Sequence, residues 1–233
     1  MSPEFVVAID GPAGAGKSTV ARRLADRLEG FRYLDTGAMY RAVTAYLHRI
    51  DNKNASAEEM AEAAKGLELD GDTLSVNGVD VTATIRTPEV TADVSRVSAV
   101  PEVRRVVQAK QRHLTGLLVA EGRDIGSVVF PNAPVKVYLR ASLKERSRRR
   151  HRQRPELSVA EYSAAIEHRD TLDSTREDSP LLCTEDAIEI DSTHLTIEEV
   201  VEEIVAFVRL RLRKAQERDA DQGGDSVSAG SSG

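Results

Sequence analysis

The chain has 233 residues, and 32 Lys and Arg against 38 Asp and Glu leave it a net charge of −6 at pH 7. That length suits one domain with insertions or two small ones, and a 40% hydrophobic share with 30% charged residues excludes a collagen-like or wholly disordered chain. There is no apolar run of about 18 residues to span a membrane and no signal-like start at Met1–Phe5, and Cys183 has no second cysteine to pair with, so the cytoplasm is the expected compartment.

Residues 5–9 are an apolar run closed by the turn chemistry of Asp10, Gly11 and Pro12, which predicts a buried strand. A helix is expected over 17–28, with Val20, Leu24 and Leu28 on its apolar face. A short strand at 32–34 and a helix at 38–50 follow. Ser56 and Glu59 form a capping box that opens a third helix to about residue 65. The texture then changes. Residues 67–70, 73–76 and 79–82 alternate with a period of two, and Asn77 and Gly78 between the last two signal a tight hairpin. This predicts a small antiparallel insert. Thr87 as cap and Pro88 at the first helical position start another helix, and 102–114 is the next. Buried strands are expected at 117–120 and 135–139, helices at about 142–151, 158–172 and 197–213, and a last strand at 187–190. Strands alternating with helices predict an α/β fold, a mainly parallel sheet covered on both faces. The 197–213 helix is expected to pack on the core. From 214 to 233 the chain is polar and reads as a disordered tail.

Gly11, Pro12, Ala13, Gly14, Ala15, Gly16, Lys17 and Ser18 match the phosphate-loop pattern G-x-x-x-x-G-K-[ST] between the first strand and the first helix. Glycines let the backbone curl round phosphate oxygens, and the helix N-terminus adds partial positive charge. Lys17 is placed for the β- and γ-phosphates and Ser18 for Mg²⁺. The expected ATP-binding stretch runs through Thr19. A GTPase is not supported. The sole Asp-x-x-Gly is Asp221 to Gly224, and Asn52, Lys53 and Asn54 are followed by Ala55 instead of an aspartate. A small phosphotransferase fits better.

Such an enzyme must neutralise two sets of phosphates, for which arginine is suited by its planar fork. Three clusters qualify. Asp35, Thr36, Gly37, Tyr40 and Arg41 lie at a turn entering a helix. Glu121, Gly122, Arg123, Asp124 and Gly126 follow a buried strand, at the strand edge where α/β sheets bind ligands; the bland alternative is an Arg123–Asp124 pair satisfying itself. Residues 140–154 hold eight basic side chains against the single acid Glu145, and Arg169, Asp173 and Arg176 follow at helical spacings. The basic run reads as a lid over phosphates, or else as a solvated face or RNA patch without aromatic residues for stacking. Cys183 reads as an unreactive packing residue. The five histidines show no metal-ligand spacing.

In this order these motifs resemble the bacterial cytidylate kinase family of CMP/dCMP kinases, within the nucleoside monophosphate kinase superfamily. The matching text includes Asp35 to Arg41, Ile85 to Pro88, Glu121 to Gly126, Val129 to Pro131 and Asp191 to Thr193. Some members have Ser at the position of Thr36 and Asp at that of Glu121, exchanges that keep the functional group. The resemblance implies a kinase domain over 1–213. Its core is 1–35, 114–140 and 180–213, its monophosphate-binding region about 36–113, and its lid about 141–175. It implies transfer of the γ-phosphate of ATP to CMP or dCMP, with Mg²⁺, by a monomer that needs no nucleic acid or membrane. By position, Lys17, Arg41, Arg123 and Arg176 are its catalytic residues. Thr36, Tyr40 and Arg41 fall on the acceptor site, and Arg41, Arg123 and Arg176 grip the acceptor phosphate. Ser95, Arg104 and Asp124 read cytosine, and Arg169 and Asp173 hold the ribose. An Arg donor beside an Asp acceptor complements cytosine, whereas the carbonyl at position 4 of uracil would face Asp124 unfavourably. The rival readings are a kinase for UMP, GMP or shikimate, and an RNA-associated NTPase using residues 140–154.

Overall fold

A computed structural model describes residues 5–224. Five strands form one parallel sheet in the order β2 (Arg32–Asp35), β6 (Leu117–Gly122), β1 (Phe5–Asp10), β7 (Val135–Arg140), β8 (Ile188–Asp191). Both faces of the sheet's centre are buried, which is why Phe5–Ile9 of β1 and Leu117–Ala120 of β6 read as unbroken apolar runs. Val7 and Ile9 face one side, where they pack with Val20, Leu24, Val200 and Ile204. Val6 and Ala8 face the other, with Leu34, Leu118, Ile125 and Phe130. The first of these layers is built by α1 (Lys17–Arg27) and α8 (Ile197–Gly224). Val200, Val201, Ile204, Val205 and Val208 are all buried, as expected for a core-packing helix.

A second core lies under α2 (Thr36–Arg49), α3 (Ala57–Lys65), α4 (Pro88–Ser98) and α5 (Pro101–Arg112), with the antiparallel strands β3 (Leu67–Asp70), β4 (Thr73–Val76) and β5 (Val79–Asp80). The Ser56–Glu59 capping box forms. Asn77 and Gly78 both adopt positive φ, 51° and 74°, the geometry a two-residue hairpin turn requires. The remaining helices, α6 (Leu143–Gln153) and α7 (Val159–Thr175), pair with each other beside the phosphate loop.

Three expected boundaries are corrected and one element is added. Helix α2 starts at Thr36, not residue 38, because the Asp35 side chain accepts from the Ala38 amide and caps it. Strand β5 stops at Asp80 instead of 82, because the Thr82 hydroxyl takes over and bonds the Leu74 amide at 2.9 Å. A turn of π-helix at Ile125–Val129 follows β6, where the Asp10 carboxylate accepts the Ile125 and Gly126 amides. Helix α8 continues to Gly224, past the end expected at 213. Ala215, Gln216, Glu217 and Arg218 are strong helix formers, and no glycine interrupts them before Gly223. The rest of the 214–233 tail lies outside the described residues.

The strand register decides which side chains share the carboxyl edge of the parallel sheet. Asp35 of β2 pairs with Glu121 of β6, Asp10 of β1 with Gly122, and Asp10 with Tyr138 of β7. Three polar strand ends therefore meet at one edge of the sheet. The apolar layer beneath them carries stability. Ile204→Ala, at a fully buried position, is expected to lower unfolding free energy by about 2–5 kcal/mol in a denaturant titration, with catalysis at low temperature retained.

Candidate active site

The phosphate loop joins Asp10 to α1. Gly11 has φ 148°, and a Cβ there would collide with the Leu139 carbonyl oxygen, so no other residue fits. The carbonyls of the loop are tied down by donors from outside it. Arg146 Nη1 donates to Ala13 O at 2.9 Å, and Ser192 Oγ and Arg149 Nη1 donate to Ala15 O at 3.2 and 3.4 Å. Lys17 is buried and its Nζ donates to Pro12 O at 2.8 Å. Burial, and then the Arg123 guanidinium, lower its pKa to about 7, against the pull of Glu121 and Asp173. Asp10 is driven the other way, up to about 6, by burial that outweighs its two backbone hydrogen bonds.

Next to this loop, Ser18 Oγ donates to Glu121 Oε1 at 2.6 Å, and Tyr33 OH reaches the same oxygen at 3.3 Å. A hydroxyl beside a carboxylate is a hard oxygen set, the donor chemistry Mg²⁺ prefers. No cluster of three or more His, Cys, Asp or Glu suited to a metal exists among the described residues.

The cleft opposite is lined with arginine. Asp173 is its hub: Arg123 Nε lies 2.7 Å from one carboxylate oxygen, Arg176 Nη1 3.4 Å from the other, and Arg169 Nε 4.0 Å away. Burial works against ionising Asp173, but Arg123 and Arg169 outweigh it and lower its pKa. Arg123 is raised, Asp173 overcoming its burial, whereas in Arg169 and Arg176 burial prevails. Burial and the charges of Arg123 and Arg41 bring Arg169 down to about 10, and burial and Arg104 lower Arg176. Arg41 donates to Asp35 at 2.8 Å, and Arg86 to the same oxygen at 2.6 Å. Thr36 Oγ1 donates to Glu121 O at 2.7 Å, which joins α2 to β6.

Deeper in the cleft, Arg104 is 1% exposed and lies over the Tyr40 ring. Its Nη2 donates to Asp124 Oδ2 at 2.6 Å, and Gln108 Nε2 donates to that oxygen at 2.9 Å. Asp124 Oδ1 keeps its capacity to accept. Several buried polar atoms here have no hydrogen-bond partner among the described residues: Tyr40 OH, Arg41 Nε, Arg104 Nε, Arg169 Nε and Arg176 Nη2. Unpaired buried polar groups cost about 1–3 kcal/mol each, and so many in one cleft mark a site built for a polar ligand.

The structure thus brings together Lys17, Thr36, Tyr40, Arg41, Arg104, Arg123, Asp124, Arg169, Asp173 and Arg176. Ser95 lies on α4, half-buried, and no side-chain hydrogen bond joins it to this group among the described residues. Arg123 and Asp124 do not satisfy each other; they pair with Asp173 and Arg104. Helix α7 ends at Thr175, so Arg176 reaches Asp173 from the cap position. The basic run finds acids well beyond Glu145: Arg146 pairs with Asp170, and Arg140 with Glu189 and Asp191. Cys183 is exposed, not packed, and what burial it has raises its thiol pKa. Gln108 escaped the sequence reading. Its signal was the spacing Arg104, Gln108, Gln111, a polar stripe of steps four and three on the buried face of α5.

A phosphate loop at the carboxyl edge of a parallel sheet, facing an arginine-lined cleft, defines a P-loop phosphotransferase with a small phosphorylated acceptor. The model of the cytidylate kinase family matches residues 7–210. A cytidylate kinase from Solibacter usitatus is 48% identical over 222 residues, covering 91% of this chain and 95% of that one. Another, from Mycolicibacterium paratuberculosis, is 44% identical over 229 residues, covering 93% and 100%. The chain belongs to the cytidylate kinase family, whose members are ATP-dependent nucleoside monophosphate kinases.

An incoming triphosphate will restore the charge on Lys17. At pH 8, binding of a non-hydrolysable ATP analogue is expected to take up close to one proton, read by calorimetry in buffers of different ionisation enthalpy. Because Lys17 deprotonates above about pH 7, affinity should fall about fivefold from pH 7 to 8. Binding at pH 8 with no proton uptake would contradict this.

Proposed function

We propose that this chain transfers the γ-phosphate of ATP to CMP or dCMP, giving ADP and CDP or dCDP. The observation that carries this reading is the buried Arg104–Asp124 pair. The hydrogen bonds from Arg104 and Gln108 both fall on Asp124 Oδ2, while Arg104 Nε, 4.0 Å from Asp178, makes no hydrogen bond among the described residues. A donor and an acceptor side by side match cytosine, which offers N3 and O2 as acceptors and its 4-amino group as donor. Uracil carries an oxygen at position 4, which would oppose Asp124 Oδ1. Ser95 reads the base from α4, and Tyr40 supports it with Arg104.

Arg41, Arg123 and Arg176 hold the acceptor phosphate, with Thr36 at the start of α2. Arg169 and Asp173 hold the ribose. Residues 11–19 hold ATP, Lys17 facing its β- and γ-phosphates. Ser18, with Glu121 beside it, would hold Mg²⁺, which supplies charge neutralisation between the phosphates. No general base is needed, since the acceptor phosphate is already an anionic nucleophile at pH 7. What remains for the protein is to align the two phosphates and to neutralise charge that spreads in the transition state.

The domain division proposed is a core of 1–35, 114–140 and 180–213, a monophosphate-binding region about 36–113 and a lid about 141–175. Arg154 Nη2 at the end of α6 donates to Arg86 O at 3.1 Å, a contact that lets the lid close on the monophosphate-binding region and exclude water. The chain acts as a monomer on small molecules in the cytoplasm. An RNA surface on 140–154 is disfavoured because Arg146 and Arg149 turn inward to the phosphate loop.

Steady-state kinetics with CMP, dCMP, UMP and GMP test the reading. The wild type should give its highest kcat/KM with CMP or dCMP. Asp124→Asn should lower that value by roughly 10- to 100-fold, lower UMP use less, and so narrow the preference. A wild type that prefers UMP or GMP would overturn the proposal, and an unchanged CMP/UMP ratio would remove Asp124 from base reading.

A further inference from the structure

Helix α7 faces two ways. Arg169 and Asp173, four residues apart, look into the arginine cleft. Asp170 lies about 100° round the helix from Arg169 and meets the phosphate loop instead. Its Oδ1 accepts from the Ala13 amide at 3.0 Å, and its Oδ2 pairs with Arg146. The Nη1 of Arg146 returns to the Ala13 carbonyl at 2.9 Å, and its Nε donates to Ala141 O at 2.9 Å. Both polar groups of Ala13 are therefore held by one Asp–Arg pair. Arg146 also lies against Gly14, where an added Cβ would sit 3.2 Å from its own.

From α6, Arg149 also donates to the Ala15 carbonyl of the loop, at 3.4 Å. A cavity of about 360 Å³ borders the pair, lined by Pro12, Tyr138, Leu143 and Leu181. The hydrogen bond from the loop to α7 joins residues 157 apart in sequence, and its acceptor is the carboxylate that pairs with Arg146.

We propose that Asp170, through Arg146, is a positioning residue that couples the two substrate sites. An acceptor held by Arg169, Asp173 and Arg176 fixes α7, and α7 fixes the loop that holds the donor phosphates. Asp170 touches neither reacting group. By linkage the coupling is reciprocal: each substrate tightens the other by the same factor. This role rests on the chain being a CMP kinase.

The test is calorimetric titration of a non-hydrolysable ATP analogue with Mg²⁺ into wild type and Asp170→Asn, each with and without saturating CMP. Asparagine keeps the size and an oxygen for the Ala13 amide but loses the charge that binds Arg146. In the wild type CMP should tighten the analogue about tenfold; in Asp170→Asn the factor should fall to within about twofold of unity, with the affinity for CMP alone unchanged. In turnover, KM for ATP should rise more than kcat falls, and Asp170→Glu should restore part of the coupling. Full coupling in Asp170→Asn, equal weakening of both ligands, or no coupling in the wild type overturns the proposal. So does a ligand-free melting temperature lowered by more than about ten degrees, which would make the pair a fold contact only. If the wild type forms no CDP, the functional reading fails; if it forms CDP and Asp170→Asn keeps its coupling, only the positioning role does.

Discussion

Positive charge gathered in a buried cleft is the constraint round which this molecule is arranged. Lys17 and Arg169 both sit where burial and neighbouring guanidinium groups favour losing the proton, and their pKa values fall to about 7 and about 10. Such a cluster is unfavourable to fold unless carboxylates divide it. Asp173 does this for Arg123, Arg169 and Arg176, Asp124 for Arg104, and Asp35 for Arg41 and Arg86. The pairs reduce the repulsion without removing it, and the cleft keeps an appetite for an anion. That residual field is the chemical asset, because phosphoryl transfer spreads negative charge that must be met by groups already in place.

The fold supplies the rigidity this needs. Asp10 and Glu121 stand at the ends of central strands whose apolar bodies are buried on both faces, and Asp35 ends the edge strand beside them. The polar edge is therefore held by the most tightly packed part of the chain. Each carboxylate also ties the sheet to a neighbouring segment. Asp10 accepts the amides of the π turn after β6, Asp35 caps α2, and Glu121 meets Ser18 at the start of α1. Helix α7, by contrast, packs on α6 through Tyr162 and Ile166 and meets the phosphate loop and the arginine cleft through the charges of Asp170 and Asp173.

What the sequence makes legible is what local chemistry decides. The phosphate loop is a continuous pattern whose glycines have a single backbone reason, and the Asn77–Gly78 hairpin declares its turn in two letters. Lys17, Arg41, Arg123 and Asp124 stood out as candidates because they fall in short motifs that follow strands, and Arg176 because of its helical spacing from Asp173. Partners across the chain were not. Arg123 sits beside Asp124 in sequence but pairs with Asp173, 50 residues on. Gln108 and Asp170 lie on helices whose polar faces look solvated until the element they pack against is known. The extra length of α8 escaped for another reason: a polar composition was read as disorder, although it is also that of a good exposed helix.

If the cleft is an anion cage with a base pocket attached, the acceptor phosphate must supply most of what holds the acceptor. Thermal unfolding with CMP, cytidine and inorganic phosphate, compared at equal concentration and fixed salt, measures this. CMP at about 100 times its Kd should stabilise the protein by about 2.7 kcal/mol, phosphate alone should give a small upward shift, and cytidine should give almost none. Equal stabilisation by cytidine and CMP would contradict the account.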